Sequence, residues 1–440
     1  MNHFIEKTFQ LKDKNIEIDM DYCEEIEFKG RTSLFYRGTL AYKPEACPHC
    51  GIANNDYVIV SNGKRSSRLT LTAKSGLPAY LILAKQRFLC KACGRSFTAK
   101  TSIVNPDCYI TNQVKQQIMD RATRVTCETD IAKDTFVSPN TVRRVIHETA
   151  RAIRIRSTEQ LPEHLSFDEF KSVKSVKAAM SFICCDTLSH KIVDVVEDRK
   201  THSLSAYFSR FSRQARYQVQ TITIDMYEPY MHLAKRWFPN AKIILDPFHL
   251  IQALNRELDR TRIRYMNEVR YKDSRLYNKL KRYWKLILKP KSDLMSTEYH
   301  RFPLFDWLTN TRSIVDYLIQ HDDVLKDTYQ MVHQLGDALR DRNWQRYQEI
   351  LAQSRSMTLS KGLRRVLRTF RKYGEYIHNT LTHAGLSNGP IEGINNKIKL
   401  LKRNGYGYRN FSHFRDRILL MCRLYEPKNK EKDQATNLVA

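Results

Sequence analysis

Hydrophobic and polar residues follow different patterns in successive parts of the chain. Up to about residue 100, short β-like runs such as YVIV, RLTLT and YLILA alternate with turn residues. The stretch from about 105 to 155 has helical spacing, and from about 164 to 246 apolar β-rich runs alternate with helical stretches. From about 247 to 385, Leu, Tyr and Trp recur three and four positions apart among many charges. These patterns predict an α/β protein with a long helical segment.

The chain carries a large positive charge. Among its 440 residues, Lys and Arg total 74 against 47 acids, which leaves a formal net charge of +27. An excess of this size favours a polyanionic partner, of which nucleic acid is the first candidate. The N-terminus lacks a signal-peptide core, and no stretch approaches the roughly 18 to 20 apolar residues of a membrane span. We therefore expect a cytoplasmic protein with no membrane partner.

Four of the ten cysteines form two CxxC pairs, and a glycine follows each pair directly. Four thiolates hold zinc tetrahedrally, and the glycine allows the backbone to turn towards the sulfurs. The 39 residues between the pairs exceed the usual ribbon spacing, and the β-like runs would fill this gap. His49 could replace one thiolate, and chance buried cysteines or a redox pair are the alternatives. The predicted structural zinc ligands are Cys47, Cys50, Cys90 and Cys93.

The segment from Thr129 to Ala150 predicts a helix-turn-helix. Ser138 suits a helix N-cap and Pro139 the first helical position, so the second helix is well marked. Phe136 stands in the turn where glycine is common. An ordinary helical hairpin is the alternative interpretation. Side chains on the outer side of the second helix are predicted to contact DNA in the major groove: Asn140, Thr141, Arg143 and Arg144.

Three acidic residues lie where predicted strands or helices end or begin. Asp168 lies in the run LSFDEF, Asp225 ends the apolar run TITID, and Glu392 lies near a helix start in NGPIEGINNK. The predicted order is three strands, a helix, a strand, a helix, a strand and a later helix. This is the order of a ribonuclease-H-like fold. The first and fourth strands are neighbours in such a sheet. We therefore expect Asp168 and Asp225 to converge at its edge, with Glu392 approaching from the helix.

Converging carboxylates suit phosphodiester chemistry. In-line hydrolysis needs an activated attacking oxygen and a stabilised leaving oxygen, which two metal ions about 3.5–4 Å apart can provide. Mg²⁺ and Mn²⁺ take hard oxygen ligands, so we predict two catalytic ions on Asp168, Asp225 and Glu392. Taken alone, each of these acids is more often a solvated or helix-capping residue.

Neighbouring residues compete for the same role. Glu169 follows Asp168, but strand alternation predicts that they point to opposite faces, so that only one can be the ligand. Asp246 ends the fifth predicted strand and, with His249 in DPFH, could join the site.

The helix that carries Glu392 is also basic. Residues three, four and seven positions after Glu392 share its face and can reach DNA phosphates. A solvated helix face is the alternative. The predicted DNA contacts are Asn395, Asn396, Lys399, Lys402 and Arg403, and the basic, aromatic-laced surface continues through Tyr406, Arg409 and Arg415.

The order of these motifs resembles a known family. CPHCG and CKACGRSF, the helix-turn-helix, FDEF, TIDMYEPY, ILDPFH and GPIEGINNKIKLLKRNGYGYRNFSHFRDRI are similar to insertion-sequence transposases of the ISL-three family. The resemblance implies that Asp168, Asp225 and Glu392 form a DDE catalytic triad. It also implies that the zinc knuckles and helix-turn-helix recognise the element's terminal inverted repeats, and that a helical insertion separates the second and third acids.

The acid spacing and the charge pattern agree with such an insertion. The second and third acids lie 167 residues apart (392 − 225), against 57 (225 − 168) for the first two. Residues 251–291 carry 13 Lys or Arg against four acids, with Tyr and Trp interleaved. This segment could grip DNA or form a dimer-forming helix with its charges in water.

We predict a ribonuclease-H-like catalytic core with a large all-α insertion, preceded by a zinc ribbon and a helix-turn-helix domain. The predicted parts are the zinc ribbon at 1–104, the helix-turn-helix domain at 105–160, the core at 161–254 and 386–426, the insertion at 255–385 and a flexible tail at 427–440.

The predicted function is that of a transposase that cleaves and joins double-stranded DNA at transposon ends and target sites. We expect a homodimer, associated with the nucleoid. A non-catalytic DNA-binding regulator is the alternative, and a ribonuclease-H-like nuclease acting on RNA is disfavoured by the helix-turn-helix.

Overall fold

The computed structural model describes residues 8–9, 11–153 and 158–426, apart from the side chain of Met20. The predicted tail at 427–440 lies outside these residues. The chain forms two compact units. The first takes in the described residues up to 153 together with 173–175 and 396–422, and the second comprises 158–172, 176–395 and 423–426.

The first unit begins with a five-stranded sheet. Strand β2 alternates buried and more exposed residues, and the buried residues of the sheet include Leu69, Leu81 and Leu83. The order is β1-β2-β4-β3, with β5 paired to β4, and only β2 and β4 run parallel. The strands are β1 (Ile16–Glu27), β2 (Thr32–Leu40), β3 (Ile59–Lys74), β4 (Leu77–Cys90) and β5 (Ser96–Thr98).

Helices complete the first unit. They are α1 (Asn112–Ala122), α2 (Glu128–Asp134) and α3 (Pro139–Ile153), with α16 (Phe411–Met421) packed against α3. The turn between α2 and α3 contains Phe136 with a φ of 52°, the left-handed conformation that glycine usually supplies. The Arg31 guanidinium lies 5.7 Å from the Phe136 ring centroid. A cation–π contact therefore accompanies the bulky side chain at this position.

The second unit is built on a five-stranded sheet of order β10-β9-β6-β7-β8. Within this sheet, β7 pairs antiparallel with both β6 and β8, whereas β6, β9 and β10 run parallel to one another. Parallel strands buried on both faces read as continuous apolar runs, and all four residues of β9 are buried. The strands are β6 (His164–Lys171), β7 (Met180–Asp186), β8 (Ile192–Val196), β9 (Thr221–Ile224) and β10 (Lys242–Leu245).

Helices surround this sheet and continue beyond it in one apolar core. They are α4 (Thr201–Phe208), α5 (Arg213–Tyr217), α6 (Glu228–Trp237), α7 (Pro247–Glu268), α8 (Ser274–Arg282), α9 (Trp284–Leu288), α10 (Thr311–Ile319), α11 (Asp323–Arg340), α12 (Trp344–Gln353), α13 (Lys361–Lys372) and α14 (Gly374–Thr382). Helix α15 (Gly389–Asn404) begins in the second unit, and its residues from Asn396 onwards belong to the first. A 3₁₀ turn (Lys291–Asp293) and two short strands, β11 (His300–Arg301) and β12 (Leu308–Thr309), interrupt the series. The predicted α/β class with a long helical segment is confirmed.

Helix α7 runs without a break through the predicted boundary between residues 254 and 255. The return segment packs on β10, where Thr380 Oγ1 accepts a hydrogen bond from the Leu245 N–H and lies 2.9 Å from the Leu245 carbonyl oxygen. Asn379 Nδ2 donates to the Ile243 carbonyl at 3.2 Å. The edge strand of the sheet is thus covered and its backbone groups are satisfied.

No helix in the described part of the chain combines the length and the apolar character needed to span a membrane.

Candidate functional site

The four predicted cysteine ligands lie together in the first unit, with all their sulfurs within 4.8 Å of one another. The Sγ atoms of Cys47 and Cys93 are 3.8 Å apart, as are those of Cys50 and Cys90. Tetrahedral zinc with Zn–S bonds of about 2.3 Å requires sulfurs about 3.8 Å apart. The cluster therefore fits zinc, while His49 is exposed and lies outside it.

The backbone supports this cluster in the way that the glycines predict. Gly51 and Gly94 have φ values of +76° and +67°, and their N–H groups donate to the carbonyls of Cys47 and Cys90. The His49 N–H points at the Cys47 sulfur, 3.4 Å away. Desolvation opposes ionisation, but backbone hydrogen bonds from His49 and Cys50 lower the pKa of the Cys47 thiol to about 7. A thiolate is the form that binds a metal.

A second candidate site lies in the second unit, at one end of its parallel strands. The β6–β9 ladder pairs Ser166 with Thr223, so continuing the same register by two residues places Asp168 level with Asp225. The β9–β10 ladder pairs Ile224 with Leu245, which places Asp246 level with Asp225 as well. Three aspartates therefore stand in a row across three neighbouring strands, about 5 Å from one to the next.

Asp168 and Asp225 line a cavity of about 290 Å³, together with His249. His249, on the first turn of α7, places Nε2 2.9 Å from Asp225 Oδ1 and 3.8 Å from Asp246 Oδ2. The hydrogen bond to Asp225 raises the pKa of His249, because it favours the charged imidazolium. One ligand atom from each of Asp225, Asp246 and His249 lies within 4.8 Å of the others, so this group can hold a metal ion.

Asp168 lies in a partly desolvated position on the same cavity. Burial raises the pKa of its carboxyl to about 7, and the negative charge of Asp225 acts in the same direction. Asp168 Oδ1 accepts the Glu169 N–H at 2.7 Å, and Asp168 Oδ2 accepts Asn395 Nδ2 at 2.8 Å. A nearby cation would offset the cost of ionising this acid, as expected at a metal site.

Strand alternation predicts that Asp168 and Glu169 point to opposite faces of the sheet. Both residues nevertheless line the same cavity. Its carboxylate is bound by the Arg199 guanidinium and accepts the Tyr230 hydroxyl at 3.2 Å. Glu169 is thereby neutralised within the protein, whereas Asp168 has no arginine or lysine partner among the residues that the structure describes. Alternation along the strand did not predict Arg199 or Tyr230, because both come from other elements.

Sequence reasoning missed Asn388, which is 4% exposed. Its Nδ2 donates to the Phe167 carbonyl at 3.1 Å, and its N–H lies 3.4 Å from Asp246 Oδ1. The oxygens Asn388 Oδ1 and Asn395 Oδ1 are buried without a partner in the described protein. The one signal in the sequence was position, since Asn388 lies in the GLSNGP break just before the helix that carries Glu392.

Glu392 lies in the first turn of α15 and is exposed, and it is not among the residues that line the cavity. Asn395, three residues later, is buried and contacts Asp168 instead of facing solvent. Asn396 and Lys399 are exposed and 3.4 Å apart, Arg403 is exposed, and Lys402 is half-buried. Of the predicted DNA contacts on this helix, Asn395 therefore faces the protein interior, whereas Asn396, Lys399 and Arg403 are exposed.

The predicted contacts on α3 lie on its outer side. Asn140 and Arg144 are exposed, and Thr141 Oγ1 is 2.9 Å from Ser138 Oγ at the helix start. Arg143 Nε donates to Glu128 Oε2 at 3.2 Å, so part of this guanidinium is held within the protein.

Two of the basic residues in the 251–291 segment are internal. Arg262 is 6% exposed and donates to the Leu280 carbonyl at 3.1 Å. Lys279 is 3% exposed, and its Nζ lies 4.4 Å and 4.3 Å from the ring centroids of Phe305 and Tyr317. These two charges stabilise the helical packing and are not available to a partner.

A family model and two known proteins are similar to parts of this chain. A family model described as "Transposase", for DDE transposases of the ISL-three type, matches residues 165–418. The transposase for insertion sequence element IS1001 of Bordetella parapertussis is 25% identical over 283 residues, covering 61% of this chain and 64% of that protein. A Lactococcus lactis subsp. lactis protein named ATP-dependent protease is 39% identical over 113 residues, covering 26% of this chain and 35% of that protein. The chain thus spans between about one third and two thirds of the length of these relatives.

Replacing one cysteine of the cluster should remove the zinc. We expect wild-type protein to hold one zinc ion per chain and Cys50→Ser to lose it, because three thiolates leave the tetrahedral site incomplete. Metal analysis of the purified protein measures this directly. Cys108→Ser, which lies outside the cluster, is the matched control and should keep its zinc. A full equivalent of zinc in Cys50→Ser would refute the assignment.

The raised pKa of Asp168 should make stability depend on pH. A carboxyl with a pKa of about 7 in the folded state and 3.8 as its ordinary value favours folding when protonated. In magnesium-free buffer, its contribution to the free energy of unfolding should therefore fall as pH rises from about 4 to about 7, and then level off. Denaturant unfolding of wild type and Asp168→Asn across this range measures the difference. Parallel curves for the two proteins would contradict the burial of an ionisable Asp168.

Proposed function

Because the chain belongs to the ISL-three family of DDE transposases, whose model covers more than half of its length, we propose that it binds the terminal inverted repeats of an insertion sequence and catalyses metal-dependent cleavage and strand transfer of DNA. The observation that carries this proposal is that Asp168 and Asp225 are level on neighbouring parallel strands and line one cavity. We assign the second unit's sheet, with three antiparallel strands followed by two parallel ones, to a ribonuclease-H-like core.

The residues at the cavity fit hard divalent cations. Asp168 and Asp225 offer carboxylate oxygens at the cavity. Asn395, which contacts Asp168, and Asn388, which contacts Asp246, each bury an amide oxygen that has no partner in the described part of the chain. We propose that Asp168, Asp225 and Glu392 hold two Mg²⁺ or Mn²⁺ ions, which when bound would activate the attacking oxygen and stabilise the leaving oxygen. Asp246 and His249 form the adjoining group through which Asp225 is oriented.

Glu392 enters this proposal through the family resemblance and its place on the helix. It precedes Asn395 by three residues, a rise of about 5 Å along the helix axis. Asn395 itself touches Asp168. We propose that the Glu392 side chain turns towards Asp168 and Asp225 when metal ions and DNA are bound.

Asn395 acts on the chemistry by orienting Asp168. Its amide donates to Asp168 Oδ2 and lies 3.4 Å from the Glu169 carbonyl, so it fixes the carboxylate against the strand. The cavity rim carries Arg256 and the partly exposed Tyr227, which suit a phosphate backbone and its bases. We propose that this rim binds the DNA strand to be cut.

The first unit supplies DNA recognition in this proposal. Helices α2 and α3 act as a helix-turn-helix with Asn140, Thr141, Arg143 and Arg144 towards the major groove, and the zinc ribbon extends the contact. Asn396, Lys399, Lys402 and Arg403 bind phosphates. The active species would be a homodimer that holds both transposon ends.

Removing the Asp225 carboxylate tests the catalytic assignment. Asp225→Asn should lower Mg²⁺-dependent cleavage of a duplex carrying the DNA ends that bracket the gene by about 100-fold or more, beyond the usual effect of outer-sphere changes. Its binding to the same duplex should stay within about threefold of wild type. Asp293→Asn, an exposed acid in the helical segment, is the control. Full activity in Asp225→Asn would overturn the catalytic assignment of Asp225, and a wild-type protein that binds the duplex without cleaving it would favour a non-catalytic DNA-binding regulator.

Asn395→Ala should raise the Mn²⁺ concentration needed for half-maximal cleavage by about 10- to 100-fold, since residues that orient metal ligands have effects of this size. The exposed neighbour Asn396→Ala is the matched control and should leave this concentration unchanged. An unchanged metal requirement in Asn395→Ala would show that the contact with Asp168 does not orient a ligand.

A further inference from the structure

The segment 404–410, NGYGYRN, forms a protruding loop in the first unit, which we call the tyrosine loop. Tyr406 at its tip is 91% exposed, more than any other large hydrophobic side chain in the described part of the chain. Its φ is +52°, a conformation that costs a bulky residue free energy. Because the Tyr406 ring is exposed, its burial within the protein does not offset that cost.

The base of the tyrosine loop is firmly anchored. The Tyr408 and Phe414 rings pack with centroids 5.0 Å apart, and burial raises the pKa of Tyr408 to about 12. A Cβ on Gly405 would lie 2.6 Å from the Tyr408 ring, so this close turn requires glycine. The next glycine, Gly407, has a φ of +85°. The loop is therefore shaped by its own sequence to present Tyr406.

The same loop is tied to the turn that precedes α2. Asn404 Nδ2 donates to the Val125 carbonyl at 3.2 Å. The fully buried Arg417 on α16 donates through Nη2 to the carbonyls of Arg124 and Thr126, at 3.1 and 2.9 Å. His147 on α3 lies 2.6 Å from the buried Asp416 carboxylate. The C-terminal segment and the three helices α1 to α3 thus form one packed body.

Positive charge surrounds the tip. Arg403 and Arg409 flank Tyr406 in sequence and are both exposed, and Arg124 is exposed on the adjoining turn. The hydrogen bond from Asn404 to the Val125 carbonyl places the loop base beside the turn that leads into α2. An exposed aromatic ring among arginines, beside a candidate recognition helix, has the chemistry of a DNA contact.

We propose that the tyrosine loop is a second DNA-reading element: with α3 in the major groove, the Tyr406 ring enters the adjacent minor groove while Arg403 and Arg409 bind the flanking phosphates. The proposal rests on the proposed function, namely that the first unit binds duplex DNA. A flexible arm does this beside other major-groove helices, and apolar side chains serve as wedges between base steps. Here a glycine-framed turn would replace the arm.

Binding experiments with the full-length protein test this role. The probe is a duplex that the wild-type protein selects from a random-sequence library. Tyr406→Ala should weaken binding by about 10-fold, the size expected when an aromatic contact to a base is lost. It should also remove hydroxyl-radical protection from one minor-groove segment beside the major-groove site. Tyr406→Phe keeps the ring and should bind within about threefold of wild type.

Tyr299→Ala is the matched control, an exposed tyrosine in the second unit, and should also bind within about threefold of wild type. Asn404→Ala loosens the anchor and should give a loss between those of Tyr406→Phe and Tyr406→Ala. Zinc content and thermal unfolding equal to wild type confirm that each variant is folded.

Two negative results are distinguishable. If Tyr406→Ala binds and protects the selected duplex as wild type does, the tyrosine loop proposal is overturned and the proposed function stands. If the wild-type protein selects no duplex, DNA recognition by the first unit fails, and the loop proposal fails with it.

Discussion

Three acidic side chains crowd together at one end of the parallel strands β6, β9 and β10. Their mutual repulsion is the constraint on which the second unit depends. The registers of β6, β9 and β10 bring Asp168, Asp225 and Asp246 level with one another. Burial raises the pKa values of Asp168 and Asp246, so their ionised forms are costly unless positive charge or hydrogen-bond donors are near. His249, Asn388 and Asn395 supply part of this compensation, and the proposed divalent ions would supply the rest.

The chain must leave this row and return to it. It departs through α7, whose first turn carries His249, and comes back 142 residues after Asp246, where Asn388 meets that carboxylate. Asn395 closes a separation of 227 residues to Asp168. Loop-closure entropy grows only slowly with length, so a large helical insertion costs little provided that it folds compactly. The continuous apolar core of the second unit and the contact of α14 with β10 fix the return path.

The patterns in the sequence predicted what is local. Strand and helix order, both CxxC pairs and the position of Asp225 at a strand end followed from spacing, because these depend on neighbouring residues. The partners of each acid could not be predicted in this way, since Arg199, Tyr230 and Asn388 reach the cavity from other elements. Charge was also a poor guide to exposure: Arg262 and Lys279 read as surface residues but are buried, where a backbone carbonyl and aromatic rings replace water. Phe136 takes the left-handed turn conformation usual for glycine, which sequence spacing alone did not predict.

The central claim is that the aspartate row holds divalent metal ions during DNA cleavage. Anomalous diffraction from crystals of the full-length protein with Mn²⁺ and a bound duplex tests it most directly. The account predicts manganese peaks at coordination distance, about 2.0–2.3 Å, from carboxylate oxygens of Asp168 and Asp225. Peaks confined to other residues, with both carboxylates bonded only to protein groups, would contradict it.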